Sequence, residues 1–276
     1  MRPIVPLLAS LLVTSCASGP RVPRAATGPT VNVDGVARTY RVHAPAGGDR
    51  TRPRPLLFVF HGAGSDAADI ARGSGFDALA DADPMLVVYP EARGGRFDLP
   101  QGVASSADVR FVDALLADLE TRFAVDRRRV FATGFSNGAA FCYRLASERP
   151  DLLAAIAPVA GYLPPLGPLA DRPPPPVPLL HVHGTADRRV APPTIGGGPD
   201  DAIAAWARRN GATRGPMVGD VPGTAGLPVR RAAWAGATPR SDTVVWLVEG
   251  AEHTWPGGPA GPVSRGILDF FRTHPR

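Results

Sequence analysis

Apolar residues along the chain fall into short unbroken runs separated by segments with helical periodicity. The runs at 56–60, 85–89, 130–133, 154–160, 179–183 and 243–248 have the length of strands. Phe111, Leu115, Leu116 and Leu119 recur along one face and predict a helix over 108–123. Further helices are predicted over 67–80, from Ala139 onward, near 201–209 and over 263–273. Residues 31–42 surround Asp34-Gly35, a strong tight-turn signal, and predict two antiparallel strands. This alternation implies an α/β fold on a mostly parallel, doubly wound sheet that starts with an antiparallel hairpin. Residues 161–178 are proline-rich and read as a semi-rigid loop, while 211–228 show no regular pattern.

One junction carries candidate chemistry. The run at 130–132 leads into Gly134-Phe135-Ser136-Asn137-Gly138, and a helix-forming segment follows. Strand, tight turn and helix is the context of a nucleophile elbow, with Ser136 lifted clear of the sheet edge. Gly134 and Gly138 remove side chains where strand and helix nearly touch.

A serine nucleophile needs a base, and the base needs a third group to hold it. Such enzymes place the acid and then the histidine after the serine. Of the six histidines, only His253 and His274 leave room for both. His274 lies near the C-terminus in a position expected to fray, whereas His253 follows the strand at 243–248. Among the intervening aspartates, Asp187 alone closely follows a strand, and Asp242 precedes one, at its wrong end. The expected set is therefore Ser136 as nucleophile, His253 as base and Asp187 as orienting acid. An oxyanion hole needs backbone N–H donors. Asn137, next after the serine, supplies one. The other comes from His61-Gly62-Ala63-Gly64 after the strand at 56–60, from Ala63 or alternatively Gly62. His61 is expected to shape that loop rather than act as a base.

Together these stretches resemble the polyhydroxybutyrate depolymerase and feruloyl esterase group of the α/β-hydrolase superfamily. The resemblance rests on Phe60-His61-Gly62-Ala63-Gly64, Gly134-Phe135-Ser136-Asn137-Gly138, His183-Gly184-Thr185-Ala186-Asp187 and His253-Thr254-Trp255-Pro256-Gly257. It implies an α/β-hydrolase fold and a serine esterase that forms an acyl-enzyme, with no metal or organic cofactor. Its implied substrates are hydroxybutyrate oligomers and feruloyl or acetyl esters of polysaccharide. Asp108-Val109-Arg110-Phe111 also resembles a family helix start, with Asp108 read as a structural N-cap. Ala212 and Ala235 stand where relatives often carry cysteines, and Arg93-Gly94-Gly95-Arg96-Phe97-Asp98 lacks a tryptophan that many relatives have. Trp255 and Tyr162 are candidates for contact with an apolar acyl group, with core packing as the alternative. A serine peptidase and a catalytically silent surface-binding lipoprotein remain alternative readings.

Composition sets the compartment more than the chemistry. All 30 basic residues are arginine, and the net charge is +5. No arginine stripe is interleaved with aromatics, so nucleic acid is not an expected partner. Arg127-Arg128-Arg129 reads as a solvated surface turn. Residues 1–15 have the single positive charge and short apolar core of a signal peptide. Val13-Thr14-Ser15-Cys16 resembles a bacterial lipobox, which makes Cys16 a lipidation site and 16–30 a tether. That anchor is the one expected membrane contact, and it places a secreted or cell-envelope protein around a single catalytic domain, 31–276. No polymer-binding module follows, which directs the expectation to soluble oligomers. Cys142 is expected to be a small buried side chain. His181-x-His183 with Asp187 has no zinc-type spacing and is not read as a metal site.

Overall fold

Asp34 and Gly35 both adopt positive φ, 53° and 80°, as a two-residue turn between right-twisted strands requires. They join β1 (Thr30–Val33) to β2 (Val36–His43) in antiparallel register. The protein is described from a computed structural model over residues 28–46, 51–99, 106–164, 175–195, 201–221 and 226–276. The predicted signal segment 1–15, Cys16 and most of the tether lie outside these residues. Among the described residues no helix is long and apolar enough to cross a membrane.

After the hairpin come β3 (Arg54–Phe60), α1 (Ala67–Ser74), α2 (Phe76–Ala82), β4 (Leu86–Pro90), α3 (Ala107–Glu120), β5 (Val125–Phe135) and α4 (Asn137–Glu148). Then follow β6 (Ala155–Val159), β7 (Leu179–Gly184), α5 (Ala202–Arg209), β8 (Arg214–Asp220), β9 (Val229–Ala235), β10 (Thr243–Val248) and α6 (Pro262–Arg272). The sheet order is β1-β2-β4-β3-β5-β6-β7-β10-β9-β8. Its central block, β4 to β10, is parallel, and antiparallel strands flank it at both ends.

The apolar runs are explained by burial on both faces. Leu56, Phe58 and Phe60 face one core with α3, α4 and α5. Leu57 and Val59 face the other with α1, α2 and α6. Strands covered on both sides gain nothing from polar alternation. This is the expected α/β-hydrolase architecture: a mostly parallel mixed sheet, an N-terminal hairpin and two helical layers.

Four expectations need correction. The helix predicted over 67–80 is two helices, broken at Gly75, where φ is +69° and a Cβ would lie 2.2 Å from the Ala260 amide nitrogen. Asp108 is not the cap of α3. Ser106 caps it by accepting from the Val109 amide at 3.1 Å, and Asp108 sits buried inside the first turn. His274 is not frayed. It is buried, and its ring bonds the Phe270 carbonyl at 2.7 Å and Asp242 at 3.1 Å. The arginine run belongs to β5, with Arg127 and Arg129 paired to Glu120 and Asp126. Cys142 is fully buried on α4, and burial pushes its thiol well above the usual range.

Candidate active site

Ser136 occupies the turn between β5 and α4 at φ 54°, ψ −113°. That is a left-handed conformation for a side-chain-bearing residue, a strain of about 1–3 kcal/mol that the surroundings must hold. Gly134 and Gly138 supply the clearance. A Cβ on Gly138 would lie 2.3 Å from the Phe60 carbonyl oxygen, and one on Gly134 2.7 Å from the Gly138 backbone. Ser136 precedes α4, yet its hydroxyl makes no capping bond to the helix. Ser136 Oγ instead lies 3.0 Å from His253 Nε2.

His253 and Asp187 come from loops that leave the C-terminal ends of β10 and β7, the edge at which β5 delivers Ser136. These loops lock together. The Ala186 amide donates to the Ala251 carbonyl at 3.0 Å, and the Gly250 amide to Thr185 Oγ1 at 2.9 Å. Gly184 permits this approach, because a Cβ there would sit 2.1 Å from the Ala251 oxygen. His253 Nδ1 is then 2.7 Å from Asp187 Oδ2. The structure thus brings Ser136, His253 and Asp187 into one hydrogen-bonded line.

Asp187 is buried and richly solvated by protein. Its Oδ1 accepts from the Arg189 and Val190 amides at 2.9 and 3.0 Å, and its Oδ2 faces both His253 and His183. Burial pushes its carboxyl up, but the Val190 amide, His253 and the Arg189 amide together outweigh that, and the acid is held below its ordinary range. It is an anion, and its partner nitrogen on His253 is the donor. His253 Nε2 is left to accept from the serine hydroxyl.

The neighbouring loop is fixed by His61. The Ala92 amide donates to His61 Nε2 at 3.1 Å, so the proton lies on Nδ1 and goes to the Gly62 carbonyl at 2.8 Å. The Ser65 amide also donates to that carbonyl, at 3.2 Å. A trans peptide points its N–H opposite to its C=O, so holding the Gly62 oxygen fixes the direction of the Ala63 N–H. The Ala63, Gly62 and Asn137 amides have no backbone acceptor among the described residues. Gly62 is close enough that a Cβ would lie 3.5 Å from Ser136 Cβ.

Asn137 contributes more than an amide. Its side chain accepts from the Phe97 amide at 2.7 Å and donates to the Phe97 carbonyl at 3.1 Å. Asp108 holds the same loop by accepting from the Asp98 amide at 2.6 Å while paired with buried Arg38. Sequence reasoning missed this clamp because its partners are 40 residues apart. Gly161 was also missed: a Cβ there would meet Ala139 Cβ at 2.4 Å and the Ser136 backbone carbonyl oxygen at 3.0 Å. Of the two substrate candidates, Tyr162 is 47% exposed on a groove of about 750 Å³ that also reaches Phe97 and Arg96. Trp255 faces elsewhere. Its Nε1 donates to Ser264 at 2.9 Å and its ring packs edge-on to Phe76, so packing is the role its contacts describe.

Comparison with known proteins gives this arrangement a family. Residues 38–164 match the family described as Esterase PHB depolymerase. Over 272 residues the chain is 34% identical to a protein of Nocardia uniformis subsp. tsuyamanensis named as an esterase, NocK, covering 87% of this chain and 77% of that one. The chain belongs to the esterase PHB depolymerase family. This esterase is also 29% identical to feruloyl esterase D of Neurospora crassa, over 90% of its own length and 85% of the relative's. Its fold matches the acetyl xylan esterase from Aspergillus awamori at a TM-score of 0.65 and 13% identity, over 86% and 94% of the two chains. Membership carries the coarse chemistry, hydrolysis of carboxylic esters. The matched family segment includes Gly62, Ala63, Ser136 and Asn137, and Asp187 and His253 lie beyond it.

Proposed function

We propose that this protein is a serine esterase that works through an acyl-enzyme, with Ser136 as nucleophile, His253 as base and Asp187 as orienting acid. The observation that carries the reading is the line Ser136 Oγ–His253 Nε2–His253 Nδ1–Asp187 Oδ2, with links of 3.0 and 2.7 Å. As Oγ attacks the ester carbonyl, its proton moves to His253 Nε2. Asp187 stabilises the imidazolium through Nδ1–H. The tetrahedral oxyanion is taken by the Asn137 amide and by Ala63, whose direction His61 fixes, with Gly62 as the adjoining alternative. His253 then gives its proton to the departing alcohol. Water repeats the sequence and releases the acid.

The substrate class comes from kinship: hydroxyalkanoate oligomers and feruloyl or acetyl esters of polysaccharide. We place the part of the ester beyond the scissile bond along the groove of about 750 Å³ lined by Tyr162, Phe97 and Arg96, which adjoins the elbow through the Asn137–Phe97 clamp. We place the enzyme at the cell envelope through residues 1–15 as a signal and Cys16 as the lipid-bearing residue. Cys16→Ser should move it from the membrane to the soluble fraction. The mechanism is tested by treating the protein with a fluorophosphonate and sequencing the labelled peptide. A phosphonyl group on Ser136, with loss of turnover, is expected. Full turnover by a labelled enzyme, or labelling of another residue, contradicts it. Cleavage of peptide anilides without esters points to a peptidase instead.

A further inference from the structure

Three buried side chains behind Asp187 take no part in the steps above. They are Tyr143 on α4 and His181 and His183 on β7, none more than 2% exposed. They form a line. Tyr143 Oη is 2.7 Å from His181 Nδ1, His181 Nε2 is 2.9 Å from His183 Nδ1, and His183 Nε2 is 3.1 Å from Asp187 Oδ2. Burying three polar side chains is unfavourable unless each is satisfied, and an apolar strand would fill the same space.

The proton positions follow from the partners. His183 Nε2 faces only acceptors, the Asp187 carboxylate and the Val190 carbonyl at 3.0 Å. It therefore carries a hydrogen. Burial holds His183 below its ordinary value and His181 well below, so each ring is neutral with one N–H. His183 Nδ1 is then a lone pair and accepts from His181 Nε2–H. That leaves His181 Nδ1 as a lone pair, which accepts from the Tyr143 hydroxyl. Burial raises the Tyr143 phenol well above its usual range, so it keeps its proton, and the Cys142 thiol beside it is held neutral too. Every donor in the line points toward Asp187. The titratable groups around it are Tyr143 and Cys142 from α4, the two β7 histidines, Asp187, and His253 across the carboxylate; Trp206 of α5 covers Tyr143 edge-on at 5.3 Å.

We propose that Tyr143, His181 and His183 form a one-directional hydrogen-bond relay that positions Asp187 and limits the share of its charge felt by His253, so setting the pH range of hydrolysis without touching substrate. The proposal rests on the reading of Ser136, His253 and Asp187 above. His183 competes with His253 for the same carboxylate oxygen. Removing that donor leaves more negative charge to His253, which favours the imidazolium.

The test follows the low-field proton resonance of His253 Nδ1–H and the pH profile of kcat/KM for p-nitrophenyl butyrate, per active site titrated with an organophosphate. In His183→Leu the resonance should move, and the acidic limb should shift to higher pH by about half a unit, with kcat down about tenfold and KM nearly unchanged. His183→Gln keeps an N–H within reach of Asp187 and should restore the limb. Tyr143→Phe should move the resonance in the same direction by less. A folded His183→Leu with the wild-type resonance and limb overturns the proposal, as does a loss explained wholly by fewer titratable sites. Should His183→Leu not fold, an unmoved resonance in Tyr143→Phe overturns it. If Ser136→Ala keeps its activity, the mechanism fails instead. The resonance reads the Asp187–His253 bond without turnover and still decides the relay.

Discussion

Two part-buried histidine–aspartate pairs stand at opposite edges of the sheet. His253 meets Asp187 at 2.7 Å, and His274 meets Asp242 at 3.1 Å. The first lies beyond the C-terminal ends of β7 and β10. The second joins the residue before β10 to the end of α6. Both satisfy buried polar groups, so the pairing alone carries no chemistry. The first pair differs in three ways. A strained serine stands 3.0 Å from the free histidine nitrogen, four donors surround the carboxylate, and the Gly62, Ala63 and Asn137 amides have no backbone acceptor among the described residues. In an open α/β sheet the carboxyl ends of the strands open into a crevice between loops, whereas the other edge is closed by packing. On the proposed mechanism, place on the sheet, more than residue type, separates a reacting pair from a structural one.

Swapping the same mutations between the pairs should break the symmetry most sharply. His253→Ala is expected to lower ester hydrolysis by about 10⁴-fold or more, with Asp187→Asn somewhat milder, while unfolding curves stay close to wild type. Asp242→Asn and His274→Ala should leave kcat/KM within about twofold, because neither residue reaches the reacting edge. Steady-state kinetics beside urea unfolding reads both. The next largest effect is on the elbow. Gly138→Ala places a methyl 2.3 Å from the Phe60 oxygen, and the stability loss should be about 3 kcal/mol or more, with activity lost alongside.

The active edge was the legible part of the sequence. Ser136, Asp187 and His253 each follow an apolar run closely, and local order was enough to nominate them. The hairpin was legible from Asp34-Gly35 for the same reason. Residues 211–228 were not, although they hold β8 and most of the connection to β9. β8 contains Gly215, Pro216 and Gly219 and leaves Met217 and Val218 exposed at 48% and 61%. Nothing local marks it as a strand, and its pairing with β9 makes it one. The break at Gly75 was hidden because it answers to Ala260, far along the chain. The Asn137–Phe97 clamp and the Tyr143–His181–His183 line were hidden likewise. The Asp242–His274 pair was dismissed from each residue's position alone, and only the fold showed that they meet.

Smaller effects sharpen the contrast. His274→Ala should lower stability by about 1–2 kcal/mol, the scale of a buried hydrogen bond left unmet, measured by urea unfolding at neutral pH. The two β7 histidines add a pH signature. Both are held neutral below their ordinary 6.5. The unfolded chain therefore binds more protons as pH falls below 6.5, and stability should drop in that direction. It should be fully present above 6.5, with a slope of up to about 1.4 kcal/mol per pH unit for each histidine. Unfolding free energies at pH 7.5 and 5.5 should show a shallower fall in His181→Gln than in wild type.

The central claim is that Ser136, held by its strained turn against His253, does the chemistry. The most direct test is hydrolysis of p-nitrophenyl acetate and butyrate by the purified protein beside Ser136→Ala. Turnover by the wild type that vanishes in a folded Ser136→Ala is the predicted result. Equal turnover by both, or none by a well-folded wild type on any ester of the feruloyl, acetyl or hydroxybutyrate classes, would contradict it.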